Sequence, residues 1–552
     1  MTLEKRKKYG LVWNEERTKE KFETDAEGKL PVLVKIKSKE IETDSDKPTH
    51  ILIEGDNYHA LSVLNYTHEK AIDVIYIDPP YNTGNKDFHY NDTYVEKEDP
   101  YRHSKWLSFI SKRLKLARNL LKDSGIVFIS IDDNELAQLK LLCDDIFREN
   151  NFRNSIVVSR VKKNINERSF VKSLNLGHGT LFFYARSENS LLKIPTKYQQ
   201  KAERWHAFDA PGIRNTMEYE LFGQKPPKGR HWMFEEERAK EMMDNGLLRR
   251  NPKTGSPQYK LEASDVTLLD TNWTDIQEGD SNWKFENGEK NVEFIKRLLG
   301  MYPSNDCIVL DFFAGSGTTA EAVMELNKQD EGIRQCILVT NNENNICADF
   351  CYPRIQNVIQ GYEYEGNEKN LLFEEELTIN KLENAQEIYD IYQNLRRENK
   401  QLFDNVKGEL KNNVLRLWGL KKTNGWKQGL GGNLKYYRTS FVPSETTDKN
   451  KELLTKQSIE MLCLRENTFE IVTEADDYKI FRNNNKYTGI IFDQLSIQKF
   501  KNEAIKFDKP ISVYVFSLGD DDFSDEFSDM KDKVKVCSIP EAILRVYRRI
   551  FK

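Results

Sequence analysis

The residues best suited to chemistry form one short run that follows the apolar stretch 72–77. The run consists of Asp78, Pro79, Pro80 and Tyr81. Two prolines fix the backbone just past a predicted strand, so a carboxylate and an aromatic ring stand at the strand's carboxyl end, where open α/β sheets bind ligands. A proline pair after a strand is equally compatible with a loop that only ends strand pairing, and the run alone leaves both interpretations open.

A second run places glycines between a predicted strand and a predicted helix. Its candidate binding residues are Asp311, Phe313, Ala314, Gly315, Ser316, Gly317 and Thr318. Glycines let a ligand approach the backbone at a helix N-terminus, which favours anionic or polar groups. The pattern Gly-x-Gly-x-x-Ala matches a dinucleotide fingerprint, and Glu343 lies at about the separation expected of a ribose-binding acid. This loop alone does not distinguish NAD from S-adenosylmethionine.

The elements around both runs alternate between strand and helix. Buried strands are predicted at 51–53, 72–77, 127–131, 307–312 and 336–340. Such alternation is typical of a sheet that is covered by helices on both faces. Asp56 follows the first of these strands, at a place where it can cap the next helix.

Length and composition predict a soluble protein of several domains. The chain has 552 residues, of which 38% are apolar and 31% charged. No apolar run reaches the roughly 18 residues that a membrane span needs, and the N-terminus is charged, unlike a signal peptide. We therefore expect a cytoplasmic protein without a membrane segment. Seven scattered cysteines without a Cys-x-x-Cys pair make zinc sites and disulfides unexpected.

The charge of the chain is unevenly distributed. The net charge is −5, which alone argues against nucleic-acid binding. Residues 151–200, however, contain nine Lys or Arg residues and only two Glu residues. Segregated basic residues form a local electropositive surface whatever the net charge of the chain. The segment 187–280 is irregular in pattern and interrupts the alternating elements as an insertion.

Together, the two runs resemble the amino-methylating DNA methyltransferases, which pair a DPPY-type catalytic motif with an FxGxG cofactor motif. The catalytic motif comes first and the cofactor motif more than 200 positions later, as in the β-class enzymes. More closely, 78–84, 104–109, 125–135 and 311–319 are similar to modification (Mod) subunits of type III restriction systems. The sequence departs from the family at the usual Lys-Pro pair, because Lys290 is followed by Asn291.

The resemblance implies a Rossmann-like α/β fold of the S-adenosylmethionine-dependent methyltransferases. The sheet would be circularly permuted, mostly parallel and seven-stranded, with an inserted target-recognition domain and a small C-terminal α/β domain. The boundaries follow from changes in composition and pattern along the chain, and only the names of the methyltransferase and target-recognition parts come from the resemblance. The expected divisions are an N-terminal arm at 1–45, the first half of the methyltransferase domain at 46–186, the target-recognition insertion at 187–280, the second half at 281–364, a helical connector at 365–417 and the C-terminal domain at 418–552.

The resemblance also assigns roles to residues. Asp78 and the Pro79 carbonyl would accept the hydrogens of an exocyclic amine, and Tyr81 would stack on the extruded base. The second run, with Glu343 on the ribose, would bind S-adenosylmethionine, and no metal is implied. Asp56 would lie near the cofactor's adenine, with helix capping as the alternative, and Asp311 can instead support the loop. Helical spacing places Trp106 in the core rather than on a base.

The resulting prediction is a site-specific methyltransferase that modifies the N6 amine of an adenine flipped from double-stranded DNA. Two alternatives remain, methylation of the cytosine N4 amine and a catalytically idle DNA-specificity subunit. The resemblance further implies a homodimer and a helicase-nuclease restriction subunit as a partner. A heptad-like helix at about 375–400 is compatible with pairing and equally with packing onto its own domain.

Overall fold

The computed structural model describes most of the chain in two compact units. The described residues are 11–13, 27–44, 46–84, 87–90, 93–160, 174, 176–280, 289–377, 385–411, 413–519, 521 and 523–551. The first unit comprises Met1–Leu191 and Thr274–Lys552, and the second unit is Leu192–Trp273. Much of the predicted arm 1–45, several basic residues of 151–200 and residues 285–288 before Lys290 lie outside the described residues.

Ten strands form the main sheet. In chain order they are β1 Lys29–Lys35, β2 Thr49–Glu54, β3 Ile72–Ile77, β4 Leu121–Ile131, β5 Phe152–Ser159, β6 His178–Ala185, β7 Asn272–Gln277, β8 Ile308–Asp311, β9 Gln335–Thr340 and β10 Asn433–Pro443. Across the sheet their order is β1-β10-β2-β9-β8-β3-β4-β6-β5-β7.

Most neighbouring strands in this sheet are parallel. All pairs from β10 through β2, β9, β8 and β3 to β4 are parallel, whereas β1, β6 and β5 pair antiparallel with their neighbours. Strand β8 comes late in the chain but lies between β9 and β3, which is the predicted permutation. The α/β class and the mostly parallel sheet are confirmed. The sheet has ten strands rather than seven because β10, β1 and β7 extend its two edges.

Twelve helices are described, and those that cover the sheet bury one apolar side. They are α1 Asn57–Thr67, α2 Arg102–Leu120, α3 Leu136–Cys143, α4 Glu236–Asp244, α5 Val292–Leu299, α6 Thr318–Asp330, α7 Tyr352–Gln360, α8 Ala385–Glu398, α9 Asp448–Gln457, α10 Ile459–Glu466, α11 Ile497–Ala504 and α12 Glu541–Ile550. All six residues of β3 are buried, as expected of a parallel strand covered on both faces.

The second unit has its own small core and falls within the predicted insertion 187–280. Its strands are Thr196–Lys201, Arg204–Ala207, Asp209–Pro211, Arg230–Trp232, Leu248–Arg250, Pro257–Leu261 and Ser264–Leu268. Phe208, Trp232 and Leu248 are buried together with Leu221 and Ala239 of the same unit. These strands form short sheets of two or three members, which explains why no long periodic pattern is visible in the sequence.

The division of the chain at 418 differs from the prediction. Strand β10, expected in a separate C-terminal domain, lies inside the main sheet between β1 and β2, and β1 itself comes from the predicted arm. Polar residues hid this strand in the sequence, but they are paired. Lys435 contacts Glu42 at 2.5 Å, and Arg438 contacts Glu54 at 2.9 Å. A separate five-stranded sheet begins only at Glu470–Glu474 and continues through Tyr478–Arg482, Tyr487–Ile491, Ile511–Phe516 and Val534–Ile539.

The predicted helical connector 365–417 is instead mainly β structure. Gly361–Glu376, Val414–Gln428 and Asn405–Lys411 form a three-stranded sheet, and α8 is the helix of this region. Two acidic residues of the strand Gly361–Glu376 are in register with basic residues on the next strand: Glu368 with Lys421, and Glu374 with Arg416. Opposite charges across a strand pair stabilise the sheet. Among the described residues, no helix has the length and apolar composition needed to span a membrane.

Candidate active site

The two predicted runs meet at one edge of the main sheet. Asp78 follows the last residue of β3, and Asp311 is the last residue of β8. These strands are parallel neighbours, with Leu310 in register with Ile75. Because parallel strands end at the same edge, the catalytic run (Asp78 to Tyr81) and the glycine loop (residues 311–319) lie next to each other although they are far apart in sequence.

The catalytic run is part of a closed network of four side chains. The Tyr81 hydroxyl donates to Asp78 Oδ1 at 2.7 Å. Lys290 Nζ donates to the Tyr81 hydroxyl oxygen at 2.7 Å and lies 3.0 Å from Asp78 Oδ1. Glu278 Oε1 accepts from Lys290 at 2.5 Å and lies 3.2 Å from the Tyr81 hydroxyl. Two carboxylates therefore share one ammonium and one phenol.

Burial and charge shift the protonation of this network. Burial raises the pKa of Asp78, and the nearby Lys290 ammonium acts in the opposite direction. Burial lowers the pKa of Lys290, but Asp78 and Glu278 outweigh it, so the pKa of Lys290 is raised overall. Burial, followed by the charge of Asp78, raises the pKa of Tyr81 well above its usual value. Lys290 and Tyr81 therefore remain protonated at neutral pH.

Buried polar contacts fix the backbone around the catalytic run. Trp106 is fully buried, as predicted, and its indole Nε1 donates to the Pro80 carbonyl at 2.7 Å. Asn82 has a positive φ of 56° and donates to Glu135 Oε1 at 2.6 Å. His103 Nδ1 lies 2.7 Å from the same oxygen of the buried Glu135. These supports were not predicted from the sequence, where the available signals were a Trp at a core position and an Asn directly after the catalytic run.

Asp311 connects the two ends of the glycine loop through hydrogen bonds to its carboxylate. Its carboxylate accepts from the Phe313 backbone N–H at 3.0 Å and from the Thr319 hydroxyl at 2.5 Å. Burial raises the pKa of Asp311 to about 7, against the effect of these two hydrogen bonds. The residue is only 3% exposed. This geometry is that of a loop support, which was one of the two roles that the sequence allows for Asp311, beside cofactor contact.

The two glycines of the loop differ in their surroundings. Gly315 and Gly317 both have positive φ, at 52° and 82°. A Cβ on Gly315 would have the Phe313 carbonyl oxygen as its nearest neighbour, at 3.9 Å. A Cβ on Gly317 would lie 3.2 Å from Cys351 Sγ, tighter than most real contacts. Gly317 therefore allows close packing against Cys351, the residue before α7, whereas the space next to Gly315 is open.

A buried arginine organises the far side of the loop. Arg354 Nη1 donates to the hydroxyls of Ser316 at 3.2 Å and Thr318 at 2.8 Å. The same guanidinium pairs with Glu289 at 3.0 Å and with Glu321 at 2.8 Å. All three charged side chains are almost fully buried. Arg354 could not be predicted from the sequence because its partners come from three separate segments.

The remaining predicted residues lie at the same edge. Asp56 caps α1 by accepting from the Tyr58 N–H at 2.8 Å, which is the capping alternative, and it also accepts from Arg113 at 3.1 Å. The next residue, Asn57, donates to the Phe312 carbonyl at 2.9 Å and so joins α1 to the glycine loop. Glu343 is exposed in a short turn just after β9. The Ala314 N–H, in turn, bonds the β9 carbonyl of Val339 at 3.1 Å.

A profile of the family described as DNA methylase matches residues 72–374, which contain both runs. The StyLTI Mod subunit, a type III restriction-modification protein of Salmonella typhimurium strain LT2, is 32% identical over 358 residues, 55% of this chain and 54% of that protein. The type II methyltransferase M.KpnI of Klebsiella pneumoniae is 31% identical over 344 residues, 54% of this chain and 82% of that protein. This chain therefore spans about half the length of the StyLTI subunit.

Solved structures show more distant similarity. The PvuII DNA methyltransferase, described as cytosine-N4-specific, is 10% identical and covers 57% of this chain and 93% of its own, with a TM-score of 0.33. Among the residues that the structure describes here, no group of three or more His, Cys, Asp or Glu side chains is arranged to hold a metal ion.

Proposed function

The chain belongs to the DNA methylase family, and we propose that it transfers a methyl group from S-adenosylmethionine to the N6 amine of adenine in double-stranded DNA. The observation that carries the proposal is the meeting of Asp78 and Tyr81 with the glycine loop at one sheet edge. An amine acceptor, a stacking ring and a loop suited to a cofactor are thereby assembled from the matched region.

Asp78, Pro79, Pro80 and Tyr81 are the proposed catalytic residues. The lone pair of the adenine N6 amine is delocalised into the ring, so the amine is a poor nucleophile until its hydrogens are held out of the ring plane. Asp78 and the Pro79 carbonyl accept these hydrogens, while the Pro80 carbonyl is already bonded to Trp106. Tyr81 offers stacking worth about 1–3 kcal/mol to an extruded base. Alignment of the amine then supplies most of the rate.

The glycine loop fits a cofactor of this class. The nearest atom to a Cβ added at Gly315 is 3.9 Å away, so a ligand can approach the backbone there, at the N-terminus of α6. S-adenosylmethionine supplies an activated methyl group. In our proposal the methionine part is held by Phe313, Ala314, Gly315, Ser316, Gly317 and Thr318. Glu343 accepts from the ribose hydroxyls, Asp56 lies beside the adenine, and Asp311 keeps the loop in shape.

Adenine is proposed over cytosine because the catalytic run begins with Asp78. In the family that the sequence resembles, methylation of the cytosine N4 amine more often accompanies Ser at this position. The same geometry can in principle present a cytosine amine, so cytosine N4 methylation is the second candidate. An idle specificity subunit is disfavoured because the catalytic run and the glycine loop are both intact.

We also propose three partners for the chain, namely DNA, a second copy of the chain and a restriction subunit. The second unit, Leu192–Trp273, is the proposed target-recognition domain, with basic and amide side chains for phosphates and base edges. Helix α8 has no buried residue and exposes Tyr389 and Ile391. Its Tyr392 lies against Phe373 of the strand Gly361–Glu376, with the ring centres 6.3 Å apart, and we propose that the exposed side of the helix pairs two copies of the chain. As a type III Mod subunit, the protein would also bind a helicase-nuclease restriction subunit.

The test is methyl incorporation into duplex DNA by the purified chain with labelled S-adenosylmethionine, followed by nucleoside analysis. We expect N6-methyladenine as the product. Asp78→Ala should abolish transfer and retain cofactor binding, while the control Asp508→Ala, at an exposed loop position before the strand Ile511–Phe516, should behave as wild type. Methylcytosine as the sole product would refute the adenine assignment, and normal turnover by Asp78→Ala would refute the site.

A further inference from the structure

We infer that Lys290 and Glu278 form a positioning pair for Asp78, in which Lys290 keeps the carboxylate ionised as a hydrogen acceptor and Glu278 holds Lys290 in place. This inference rests on the proposed methyl transfer, because it concerns the carboxylate that would orient the target amine. Neither residue belongs to the catalytic run or to the glycine loop. Lys290 was noted in the sequence only as half of a family pair that lacks its proline.

The contacts of Lys290 account for all its hydrogens. An ammonium has three N–H donors and no acceptor. Its three partners here are Glu278 Oε1 at 2.5 Å, the Tyr81 hydroxyl oxygen at 2.7 Å and Asp78 Oδ1 at 3.0 Å. The side chain is 14% exposed, so water competes little for these donors. Lys290 is therefore aimed at the catalytic run rather than at solvent or at the glycine loop.

Glu278 is built into the backbone next to this site. Its N–H donates to the Ser159 carbonyl at 2.8 Å, and its own carbonyl accepts from the Asn291 N–H at 2.9 Å. Lys290 lies beside it on the short strand Glu289–Lys290, which pairs with Gly279–Asp280. Gly179 on β6 leaves the room that the Glu278 carboxylate occupies, because a Cβ at Gly179 would overlap Oε2. The position of this carboxylate is thus fixed from two sides.

The pair matters most when a target base enters. In the structure, the Tyr81 hydroxyl donates its hydrogen bond to Asp78 Oδ1. The Asp78 carboxylate is one of the two acceptors that we propose for the amine hydrogens, the other being the Pro79 carbonyl. Once the hydroxyl is displaced, Lys290 stays beside Asp78. A buried carboxylate that loses all its partners is costly and takes up a proton instead. A protonated Asp78 would be a poorer acceptor for the amine hydrogens, so Lys290 preserves the form that aligns the amine.

Other charged groups surround this pair and remain constant in the test below. Tyr76 and Asp311 interact electrostatically with Asp78 from the same sheet edge. The Arg160 guanidinium lies 5.9 Å from the centre of the Tyr81 ring. Lys290 is the cation in direct contact with Asp78, and Glu278 supplies the second negative charge. Removing one or the other should therefore have opposite effects on Asp78.

The two substitutions should move the acid limb of the pH profile in opposite directions, a result that partial unfolding of the variants would not produce. Lys290→Met removes the cation, so Asp78 ionises less readily and the acid limb of kcat/KM against pH moves to higher pH, by about one pH unit. Glu278→Gln removes the neighbouring negative charge, so the acid limb moves to lower pH. Gly179→Ala, which pushes the Glu278 carboxylate away, should shift it in the same direction by less. Lys290→Arg keeps the positive charge, so its acid limb should stay at the wild-type pH.

The experiment measures methylation rates of duplex DNA at saturating S-adenosylmethionine from pH 5 to 9, with cofactor binding as a check on folding. We expect up to a tenfold loss of kcat/KM in Lys290→Met at pH values on the acid limb, and wild-type behaviour in the control Lys449→Met, which is exposed on α9. If Lys290→Met is too slow to profile, Glu278→Gln decides alone.

Three outcomes are decisive. Acid limbs that move in opposite directions support the pair. An active wild type whose Glu278→Gln limb stays in place or moves to higher pH overturns the pair and leaves the proposed function intact. A wild type that transfers no methyl group overturns the proposed function itself, and the inference with it.

Discussion

The indole N–H of Trp106 donates to the carbonyl oxygen of Pro80 across 2.7 Å, although the two residues are 26 positions apart. Trp106 is completely buried on α2 and cannot follow a movement of the loop. The second proline of the catalytic run is therefore attached to the core. The Pro79 carbonyl, one residue earlier, is the one we propose for the amine hydrogens.

Trp106→Phe should keep the packing and remove this hydrogen bond. The Pro80 carbonyl is then left without its buried donor, which costs about 1–3 kcal/mol of unfolding free energy. We expect roughly a tenfold lower kcat, since misplacement of a positioned group slows alignment. Methylation kinetics and urea denaturation measure the two effects. Trp426→Phe, at a residue 62% exposed, is the control, and equal effects in both variants would contradict the role of Trp106.

Two substitutions of Tyr81 should distinguish the role of its ring from the role of its hydroxyl. Tyr81→Ala removes the stacking surface, so turnover should fall by about 10- to 100-fold, the equivalent of 1–3 kcal/mol. Duplex affinity should change little because phosphate contacts dominate it. Tyr81→Phe keeps the ring and frees Asp78 Oδ1 from its hydroxyl partner, so most turnover should remain. Loss of DNA affinity with unchanged turnover in Tyr81→Ala would count against stacking.

Substitution of the two loop glycines, Gly315 and Gly317, should affect different properties, cofactor affinity in one case and stability in the other. Gly317→Ala places a Cβ against Cys351 at a φ of 82°, and we expect about 1–3 kcal/mol lower stability. Gly315→Ala has the milder φ of 52° and an open neighbourhood, so its main effect should be weaker S-adenosylmethionine binding. Thermal melting with and without cofactor separates stability from affinity. The reverse assignment of the two effects would refute the proposed cofactor position.

Loss of the Arg354 guanidinium should destabilise the fold strongly. Arg354→Met removes the cation that is paired with both buried carboxylates, Glu289 and Glu321, at a cost of about 3–5 kcal/mol. Adding Glu289→Gln and Glu321→Gln to this variant should recover part of the loss, because the uncompensated charges are then gone. Chemical denaturation of both variants tests this, with the exposed Arg397→Met on α8 as the control. A single variant as stable as wild type would show that the network is dispensable.

Asp311 should make stability depend on pH. Its folded pKa of about 7 lies above the ordinary value of about 3.9 expected of the unfolded chain. Between these values the folded state binds one proton more, so this group lowers stability as the pH rises from about 4 to 7, by a few kcal/mol. Above pH 7 the loss is complete.

Asp311→Asn cannot ionise and still offers an oxygen to the Phe313 N–H. The stability difference between wild type and Asp311→Asn should therefore shift in favour of the variant as the pH rises from 5 to 7. Urea denaturation at pH 5, 6, 7 and 8 measures this shift. The exposed Asp508→Asn should follow wild type at each pH. Parallel pH profiles for wild type and Asp311→Asn would contradict burial as the cause of the raised pKa.

Local patterns made the two runs predictable, and the rest of the site lacked such patterns. Asp78 and Asp311 each end an apolar strand, so their meeting follows from a parallel sheet. Glu278 and Lys290 come from short irregular segments whose proximity depends on how β6 and the ribbon at Glu289–Lys290 come together. Arg354 is an ordinary helical residue until its three partner segments are in place. Charged residues such as Lys435 also concealed β10, because ion pairing across strands leaves no apolar signal.

The position of β10 has a consequence for synthesis of the protein. Tyr436 on β10 donates to Glu54 on β2 at 2.6 Å, across 382 positions of sequence. As the chain leaves the ribosome, the edge of β2 therefore stays open until both predicted halves of the methyltransferase domain, 46–186 and 281–364, have been made. An uncovered strand edge pairs readily with other chains. A nascent chain or fragment that ends before 433 thus exposes an unpaired strand edge that can aggregate. The sheet is completed only when β10 pairs with β1 and β2.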